Sequence, residues 1–295
     1  MREDVGAQLR RYRFAVPYLL LAPGLLWLVV YYVYPAIQMF IASFWSGSLS
    51  QGYTPSLSNW TNYTDALDRY SEQFIRSIVF AGLATVLTFL ISFPLAYTIA
   101  FRGGRYKNLL LFLVIAPFFT SFLLRVISWR TILGDDGLFL GPLKAIGLLP
   151  EDFRVLATPV AVITGIAYNF LPFMTLPIYV SLEKIDRRLL EAGQDLYATP
   201  WTTFRKVTVP LALPGIFAGT LLTFIPAMGD YVNAELLGQT PSTRMIGNVI
   251  QSRFLVNNDY PTAAALSFIL MAGILVAVAI YARVLGTEEL TSGAV

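Results

Sequence analysis

Six long apolar segments constrain the fold of this chain more than any other feature. A helix needs about 20 mostly apolar residues to cross a bilayer, whereas a barrel strand needs only about 10. The composition agrees, with 56% hydrophobic and 13% charged residues, against about 25% charged residues in a typical soluble domain. The sequence therefore predicts an all-α integral membrane protein with six transmembrane helices, at 14–39, 74–101, 109–129, 155–180, 211–237 and 263–284.

The distribution of basic residues predicts the orientation of these spans. If the N-terminus is cytoplasmic, thirteen of the 21 Lys and Arg residues fall on inner segments and eight on outer ones, which favours N-in and C-in. The basic stretch "RRYRF" before the first span resembles the start of a signal peptide, but no small-residue cleavage site follows, so we expect a retained helix. We expect one transmembrane domain over residues 1–295.

The chain lacks the residues that most catalytic and metal sites require. It contains neither Cys nor His, which excludes thiolate zinc sites, histidine acid/base catalysis and a Ser/His triad. No phosphate-binding loop of the G-x-x-x-x-G-K-[ST] type is present either. We therefore expect no catalytic residues, no metal and no cofactor in this chain, and the absence of a reactive cluster disfavours a membrane-embedded enzyme.

A polar stretch, "EAGQDLYATPWTTFRKVTVPLALPG", interrupts the apolar segments on the predicted cytoplasmic side. Asp186 and the pair Thr199 and Pro200 are suitable helix starts, so the stretch predicts two short helices joined by a tight turn. Glu191 and Asp195 share a face of the first helix, and so do the aromatic residues Trp201 and Phe204 in the second. An amphipathic helix lying among lipid headgroups is the alternative interpretation.

These residues resemble the EAA loop of the membrane subunits of bacterial ABC importers. The family pattern is Glu-Ala-Ala, three residues, Gly, nine residues, Ile, one residue and Leu-Pro. Glu191, Ala192 and Pro210 fall in register with it. The positions that differ are Gly193, Tyr197, Val207 and Val209, where the pattern has Ala, Gly, Ile and Leu. The segments "APFFTSFLLRVISWRTILGDDG", "NFLPFMTLPIYVSLEKID" and "FIPAMGDYVNAELLG" extend the resemblance to the spermidine/putrescine permeases, over most of residues 74–284.

This resemblance implies a type I importer permease fold in a bacterial inner or plasma membrane, with a cytoplasmic coupling loop at 181–210. The expected partners are ABC ATPase subunits that bind ATP and magnesium, a second permease subunit, an extracytoplasmic binding protein and the bilayer, without nucleic acid. The residues implied in ATPase coupling are Glu191, Ala192, Gly193, Asp195, Trp201 and Phe204. In that arrangement Glu191 meets the ATPase, while Trp201 and Phe204 seat the helices against the transmembrane core.

Polar residues within the spans are the candidates for a substrate pathway, because they usually face a cavity or the bundle interior. They are Tyr97, Tyr168, Asn169, Asp230, Tyr231, Asn233 and Glu235. Pro226 and Gly229 predict a helix break just before Asp230. Helical periodicity places Asp230 and Asn233 on one face and Tyr231 and Glu235 on another, and either pair could line the pathway.

Two alternatives concern the charged groups near the outer interface. The carboxylates could lie in water or pair with Arg244 or Arg253, and Arg125 is expected to snorkel to the headgroups. The long outer segments 45–73 and 131–154 are expected to be loops, and their acidic residues could form a docking surface for an external partner.

Carboxylates with aromatic faces suit a flexible polyamine, because each desolvated ammonium needs a compensating charge or ring. A sugar or anion importer and an ion-coupled secondary transporter are the alternatives. The latter is expected to contain inverted repeats, which the sequence lacks.

Overall fold

The computed structural model describes residues 17–284, and most of this range is helical. In chain order the main helices are α1 Pro17–Ala42, α2 Thr61–Arg102, α3 Gly104–Phe119, α4 Phe122–Ile132, α5 Leu140–Ala145, α6 Pro159–Glu183, α7 Arg187–Asp195, α8 Pro200–Met228, α9 Ala234–Gly238, α10 Ile246–Gln251 and α11 Tyr260–Val284. A 3-10 turn at Pro241–Thr243 precedes α10, and a π-helical turn at Ser252–Val256 follows it. Five of them are long and apolar enough to span a bilayer, and α3 with α4 adds a sixth, bent span. This arrangement confirms the six predicted spans; the predicted start at Phe14 and the "RRYRF" segment lie outside the described residues.

The first outer segment is shorter than the sequence predicts. Helix α2 begins at Thr61 rather than at residue 74, so it projects beyond the membrane on the predicted external side. The loop between α1 and α2 contains two strands, β1 Ser46–Ser48 and β2 Gly52–Thr54, which pair antiparallel. The second outer segment, predicted as a loop at 131–154, contains the short helix α5.

The third span is sharply bent rather than straight. The axes of α3 and α4 differ by 95°, and the chain is extended at Thr120 and Ser121 between them. Pro117 lies in the final 3-10 turn of α3, where it removes a backbone donor and weakens the helix. The third predicted span is therefore present but broken at residues 120–121, and the proline in "APFFTS" is the physical reason.

Helices α2, α6 and α8 pack into the core of the bundle. The contact surfaces are made of small residues, such as Ala81 and Ala84 of α2 and Ala161 of α6, all fully buried. Gly215 and Gly219 bring α8 close to α6, since a Cβ on Gly219 would lie 3.0 Å from the carbonyl oxygen of Met174. Such a G-x-x-x-G spacing allows two membrane helices to approach backbone to backbone.

Helix α1 stands at the edge of this bundle. None of its described residues in the apolar window is buried. It contacts the rest of the chain near its external end, where the rings of Phe40 and Phe268 of α11 lie 5.2 Å apart, edge to face. The even number of spans places Pro17 and Val284, the ends of the described residues, on the same side of the membrane, in agreement with the charge distribution.

Candidate functional site

The fifth span breaks immediately before the acidic residues singled out in the sequence. Helix α8 ends at Met228, and the chain turns at Gly229 before α9 begins. This break confirms the effect expected from Pro226 and Gly229. Gly247 of α10 packs directly on the turn, since a Cβ there would lie 2.9 Å from the carbonyl carbon of Gly229. Irregular backbone at membrane depth persists where protein encloses it, and α10 provides that cover.

Asp230 belongs to a buried chain of polar side chains. It is 7% exposed, and its carboxylate accepts hydrogen bonds from the backbone N–H of Asn233 at 2.9 Å and from the Asn233 side chain at 2.6 Å. The backbone bond has the geometry of a helix N-cap. Asn169 Nδ2 of α6 donates to Asn233 Oδ1 at 3.1 Å, while Asn169 Oδ1 accepts no hydrogen bond from a described residue. Three of the predicted pathway residues therefore lie together.

Tyr231 and Glu235 occupy the opposite, exposed face of the same segment, as the helical periodicity predicts. Asn248 of α10 connects them: its Nδ2 donates to Glu235 Oε2 at 3.1 Å and to the carbonyl oxygen of Tyr231 at 3.0 Å. The Oδ1 of Asn248 accepts from the backbone N–H of Met245 at 3.1 Å. Because this bond fixes which end of the amide faces Met245, the donor end must face Glu235 and orients its carboxylate.

Glu235 opens into a cavity of about 420 Å³ at the predicted external end of the bundle. The other lining residues include Gln73, Gln239, Thr240, Arg244 and Asn248. Cavities that bind small molecules range from about 300 to 1,000 Å³. The size and the polar lining of this cavity are therefore suitable for a small polar solute.

The alternative that Arg244 or Arg253 pairs with these carboxylates does not hold. Arg253 forms an ion pair with Asp259 at 3.3 Å and donates to the Tyr70 hydroxyl. Arg244 lines the cavity together with Glu235. Among the residues 17–284, however, no ion pair includes Asp230 or Glu235.

The two predicted pathway tyrosines outside this segment lie in different surroundings. Tyr168 of α6 packs edge to face on Trp129 of α4, with ring centroids 5.1 Å apart. Tyr97 lies with Phe101 and Phe204 near the cytoplasmic end of α2, with centroid distances of 4.8 and 6.1 Å. The structure thus does not bring Tyr97 together with Asp230 and its neighbours.

Arg125 is buried at the bend of the third span, so the expectation that it snorkels to the headgroups is wrong. Its side chain is 8% exposed, and Nη1 donates to the carbonyl oxygen of Pro117 at 3.2 Å. The guanidinium also lies 4.3 Å from the ring centroid of Phe118. The bend leaves carbonyl groups at the end of α3 without helical partners, and a cation next to a helix C-terminus stabilises them.

The cytoplasmic stretch forms one of the two short helices predicted from its sequence, α7, whereas the second is the first part of α8 and continues without a break into the fifth span. Asp186 Oδ1 accepts from the backbone N–H of Arg188 at 2.9 Å near the start of α7, and Thr199 caps α8 through a bond from the N–H of Thr202 at 3.2 Å. Between them, the N–H of Ala198 donates to the carbonyl oxygen of Gly193 at 3.0 Å. Tyr197 has a positive φ of 57°. This is a Schellman turn with Tyr197 at the position that glycine usually occupies.

The Tyr197→Gly variant is expected to stabilise this turn. A non-glycine residue in the left-handed region costs about 1–2 kcal/mol, and glycine removes that strain while gaining some flexibility in the unfolded chain. The amide hydrogen of Ala198 should therefore exchange with solvent several-fold more slowly, measured by hydrogen exchange of the assembled transporter. Equal or faster exchange in the variant would contradict the assignment of strain to Tyr197.

The predicted coupling residues divide into an exposed group and a packed group. Glu191, Ala192 and Asp195 are exposed, and Tyr197 is 96% exposed. Gly193 faces α8, because a Cβ there would lie 3.0 Å from Thr203 Oγ1. The loop therefore presents a polar surface that no described part of the chain covers.

The two aromatic residues have different roles. Phe204 packs edge to face on Phe93 of α2, with centroids 5.7 Å apart, so it does seat the loop against the core. Trp201 stacks on Phe204 but is 68% exposed. The expectation that Trp201 also seats the helices on the core is wrong, because it extends outward from them.

Three features of the site and its scaffold escaped the sequence analysis. Asn248 was visible as a polar residue in the apolar run "MIGNVI", and Gly215 and Gly219 as a G-x-x-x-G motif. Gln73 had no such signal, since it precedes the predicted second span and reaches the cavity only because α2 begins earlier than expected.

Comparisons with known proteins agree with the architecture. Residues 89–285 match the family model described as "Binding-protein-dependent transport system inner membrane component". The spermidine/putrescine transport system permease protein PotB of Haemophilus influenzae is 38% identical over 82% of this chain and 84% of that protein. PotB of Escherichia coli K12 is 37% identical over 83% of this chain and 88% of that protein.

Solved structures show the same fold. A crystal structure of a bacterial ABC transporter involved in the import of the acidic polysaccharide alginate contains a chain with a TM-score of 0.75 and 19% identity. The match covers 93% of this chain and 96% of the other. A chain of the MetNI methionine ABC transporter has a TM-score of 0.56 at 18% identity, covering 76% of this chain and 97% of the other.

Proposed function

Because this chain belongs to the family of inner membrane components of binding-protein-dependent transport systems, we propose that it is the permease subunit through which a polyamine enters the cytoplasm. The observation that carries the proposal is its similarity to spermidine/putrescine permeases over most of its length. The protein is a multi-pass component of the inner membrane, and alternating access of the bundle moves the solute across it.

The groups around the break in the fifth span support this choice of solute. Asp230 and Glu235 place two carboxylates five residues apart, without a basic partner in an ion pair among the described residues. Tyr231 adds an exposed aromatic ring on the same face of the segment as Glu235. A cationic amine that leaves water can recover its hydration energy from such carboxylates and rings.

The energy for transport comes from partner subunits. Two ABC ATPase subunits bind ATP and magnesium, a second permease completes the membrane pathway, and an extracytoplasmic binding protein delivers the solute. The coupling loop, with Glu191 and its exposed neighbours, docks on the ATPase. The exposed polar surface of α7 supports this assignment, and the absence of a phosphate-binding loop from the sequence is consistent with it.

The uptake of radiolabelled putrescine and spermidine by the assembled importer tests the proposed solute. We expect Asp230→Asn and Glu235→Gln each to lower uptake at least several-fold, because a carboxylate contact with an ammonium contributes about 1.5–3 kcal/mol. The amount of assembled complex, measured by copurification of the ATPase, should not change.

Two outcomes would contradict the proposal. One is normal polyamine transport by both variants. The other is a wild-type importer that accumulates a labelled neutral sugar or an organic anion but no polyamine, which would preserve the transport class and reject the solute.

A further inference from the structure

The external cavity next to Glu235 contains more recognition groups than the proposed pathway residues. Gln73 of α2 lies on its wall, and the Oε1 of Gln73 is buried and accepts no hydrogen bond from any residue in 17–284. A buried acceptor without a donor is unfavourable by about 1–3 kcal/mol. Because Gln73 lines the cavity, its amide can satisfy this acceptor by turning toward a donor that enters there.

Glu235 is the second acceptor, and a neighbouring amide holds one of its two carboxylate oxygens. The bond from Asn248 Nδ2 occupies Oε2, and Asn248 is itself 2% exposed and locked by its bond from Met245. Only the other carboxylate oxygen, Oε1, is free of that bond. A held carboxylate loses little conformational entropy when it binds a donor, so the cavity is preorganised for one.

The wall that carries Arg244 is fixed by α2. Arg76 Nη1 donates to the carbonyl oxygen of Pro241 at 2.7 Å and to that of Arg244 at 3.0 Å. These bonds attach the segment between α9 and α10 to α2. Arg244 lines the cavity and forms no ion pair with Glu235 among the described residues. The cavity therefore contains one carboxylate and one guanidinium that do not neutralise each other by direct contact.

We propose that this cavity is an external receiving site for one ammonium group of the solute, which is bound by Glu235 and Gln73 and opposed by the resident cation Arg244. A primary ammonium carries three donors and no acceptor, which matches a carboxylate oxygen and an amide oxygen that both lack a donor. Arg244 lowers the local affinity for a cation, and its removal strengthens binding. This inference rests on the proposed polyamine transport for the identity of the solute.

Cysteine labelling can test the charge preference of the cavity independently of transport. The chain has no cysteine, so Thr240→Cys, on the cavity wall, introduces the only thiol of this subunit. The assembled importer in proteoliposomes is treated with 2-aminoethyl methanethiosulfonate, a cation, or with 2-sulfonatoethyl methanethiosulfonate, an anion, and modification of this chain is followed by mass spectrometry. Ser242→Cys, exposed nearby but absent from the cavity lining, is the matched control.

We expect the ratio of cationic to anionic labelling rates to be at least about tenfold higher at Thr240→Cys than at Ser242→Cys. One charged hydrogen bond between the cationic reagent and Glu235 accounts for a difference of this size. Adding Glu235→Gln or Gln73→Leu should lower the ratio at Thr240→Cys, and adding Arg244→Gln should raise it. Arg130→Gln, the same charge change outside the cavity, should alter the ratio by less than about twofold. Putrescine should slow labelling at Thr240→Cys, and Glu235→Gln should remove that protection.

The results separate this inference from the proposed function. Equal ratios at both cysteines, or a lower ratio after Arg244→Gln, would overturn the receiving site even if the importer transports polyamines. A cation preference that depends on Glu235, in an importer that accumulates no polyamine, would uphold the site and reject the proposed solute.

Discussion

Replacing Glu191 with lysine is expected to lower solute uptake and substrate-stimulated ATP hydrolysis by at least about tenfold. Glu191 is exposed on α7, the helix that we propose to dock on the ATPase. A charge of the wrong sign at a protein interface costs several kcal/mol, and about 1.4 kcal/mol is a factor of ten in affinity. Uptake and ATP hydrolysis in proteoliposomes with the complete importer, together with copurification of the ATPase, measure the effect.

The variant should not disturb the fold, because the side chain of Glu191 makes no ion pair among the described residues. Glu191→Gln removes the charge without reversing it and should have a smaller effect than lysine. Asp136→Lys makes the same reversal at an exposed position on the predicted external side and should leave ATPase copurification unchanged. Normal uptake and normal stimulation of ATP hydrolysis by Glu191→Lys would reject the coupling role of α7.

Gly215→Val is expected to prevent most of the protein from folding, or to lower its thermal midpoint by at least about 5 °C. A Cβ at Gly215 would lie 2.5 Å from Ser181 Oγ and also against the carbonyl oxygen of Pro177. Overpacking a well-packed core costs about 1–3 kcal/mol, and a backbone carbonyl of α6 has little freedom to move away. Fluorescence-detected size exclusion and thermal denaturation in detergent measure the loss.

Gly273→Val is the matched control, because Gly273 lies on α11 and a Cβ there would have no atom within 4 Å. It makes the same change of side chain in another membrane helix and should leave the yield and midpoint near those of the wild type. If both variants behave alike, the close approach of α8 to α6 does not explain the effect of Gly215→Val.

Local chemistry explains why much of the coupling loop could be predicted from the sequence. Asp186 and Thr199 cap their helices through bonds that span two or three residues, so the relevant partners are close in the chain. The turn at Tyr197 also depends only on neighbouring residues. Its position could be predicted because Tyr197 aligns with a glycine of the family pattern, although tyrosine is unusual at a positive φ. The predicted role of Trp201 was wrong because the orientation of the start of α8 relative to the core depends on distant residues such as Phe93.

Arg125 illustrates the limit of reasoning from hydropathy. Its sequence position near the end of an apolar segment is compatible with snorkelling, but the 95° bend turns it toward Pro117. The proline was visible in the sequence, whereas the direction of the bend was not. Packing against the neighbouring helices selects that direction.

Hydropathy and local motifs were sufficient to predict the membrane class, the six spans, the break before Asp230 and the starts of the two helices of the coupling loop. These features follow from hydrophobic length, from proline and glycine, and from caps a few residues apart. Tertiary packing alone joined Asn169 to Asn233, placed Asn248 on Glu235 and brought Gln73 into the external cavity. These contacts connect residues on different helices, so their formation depends on how the helices pack. The periodicity within one segment does not specify which side chain a distant segment presents to it.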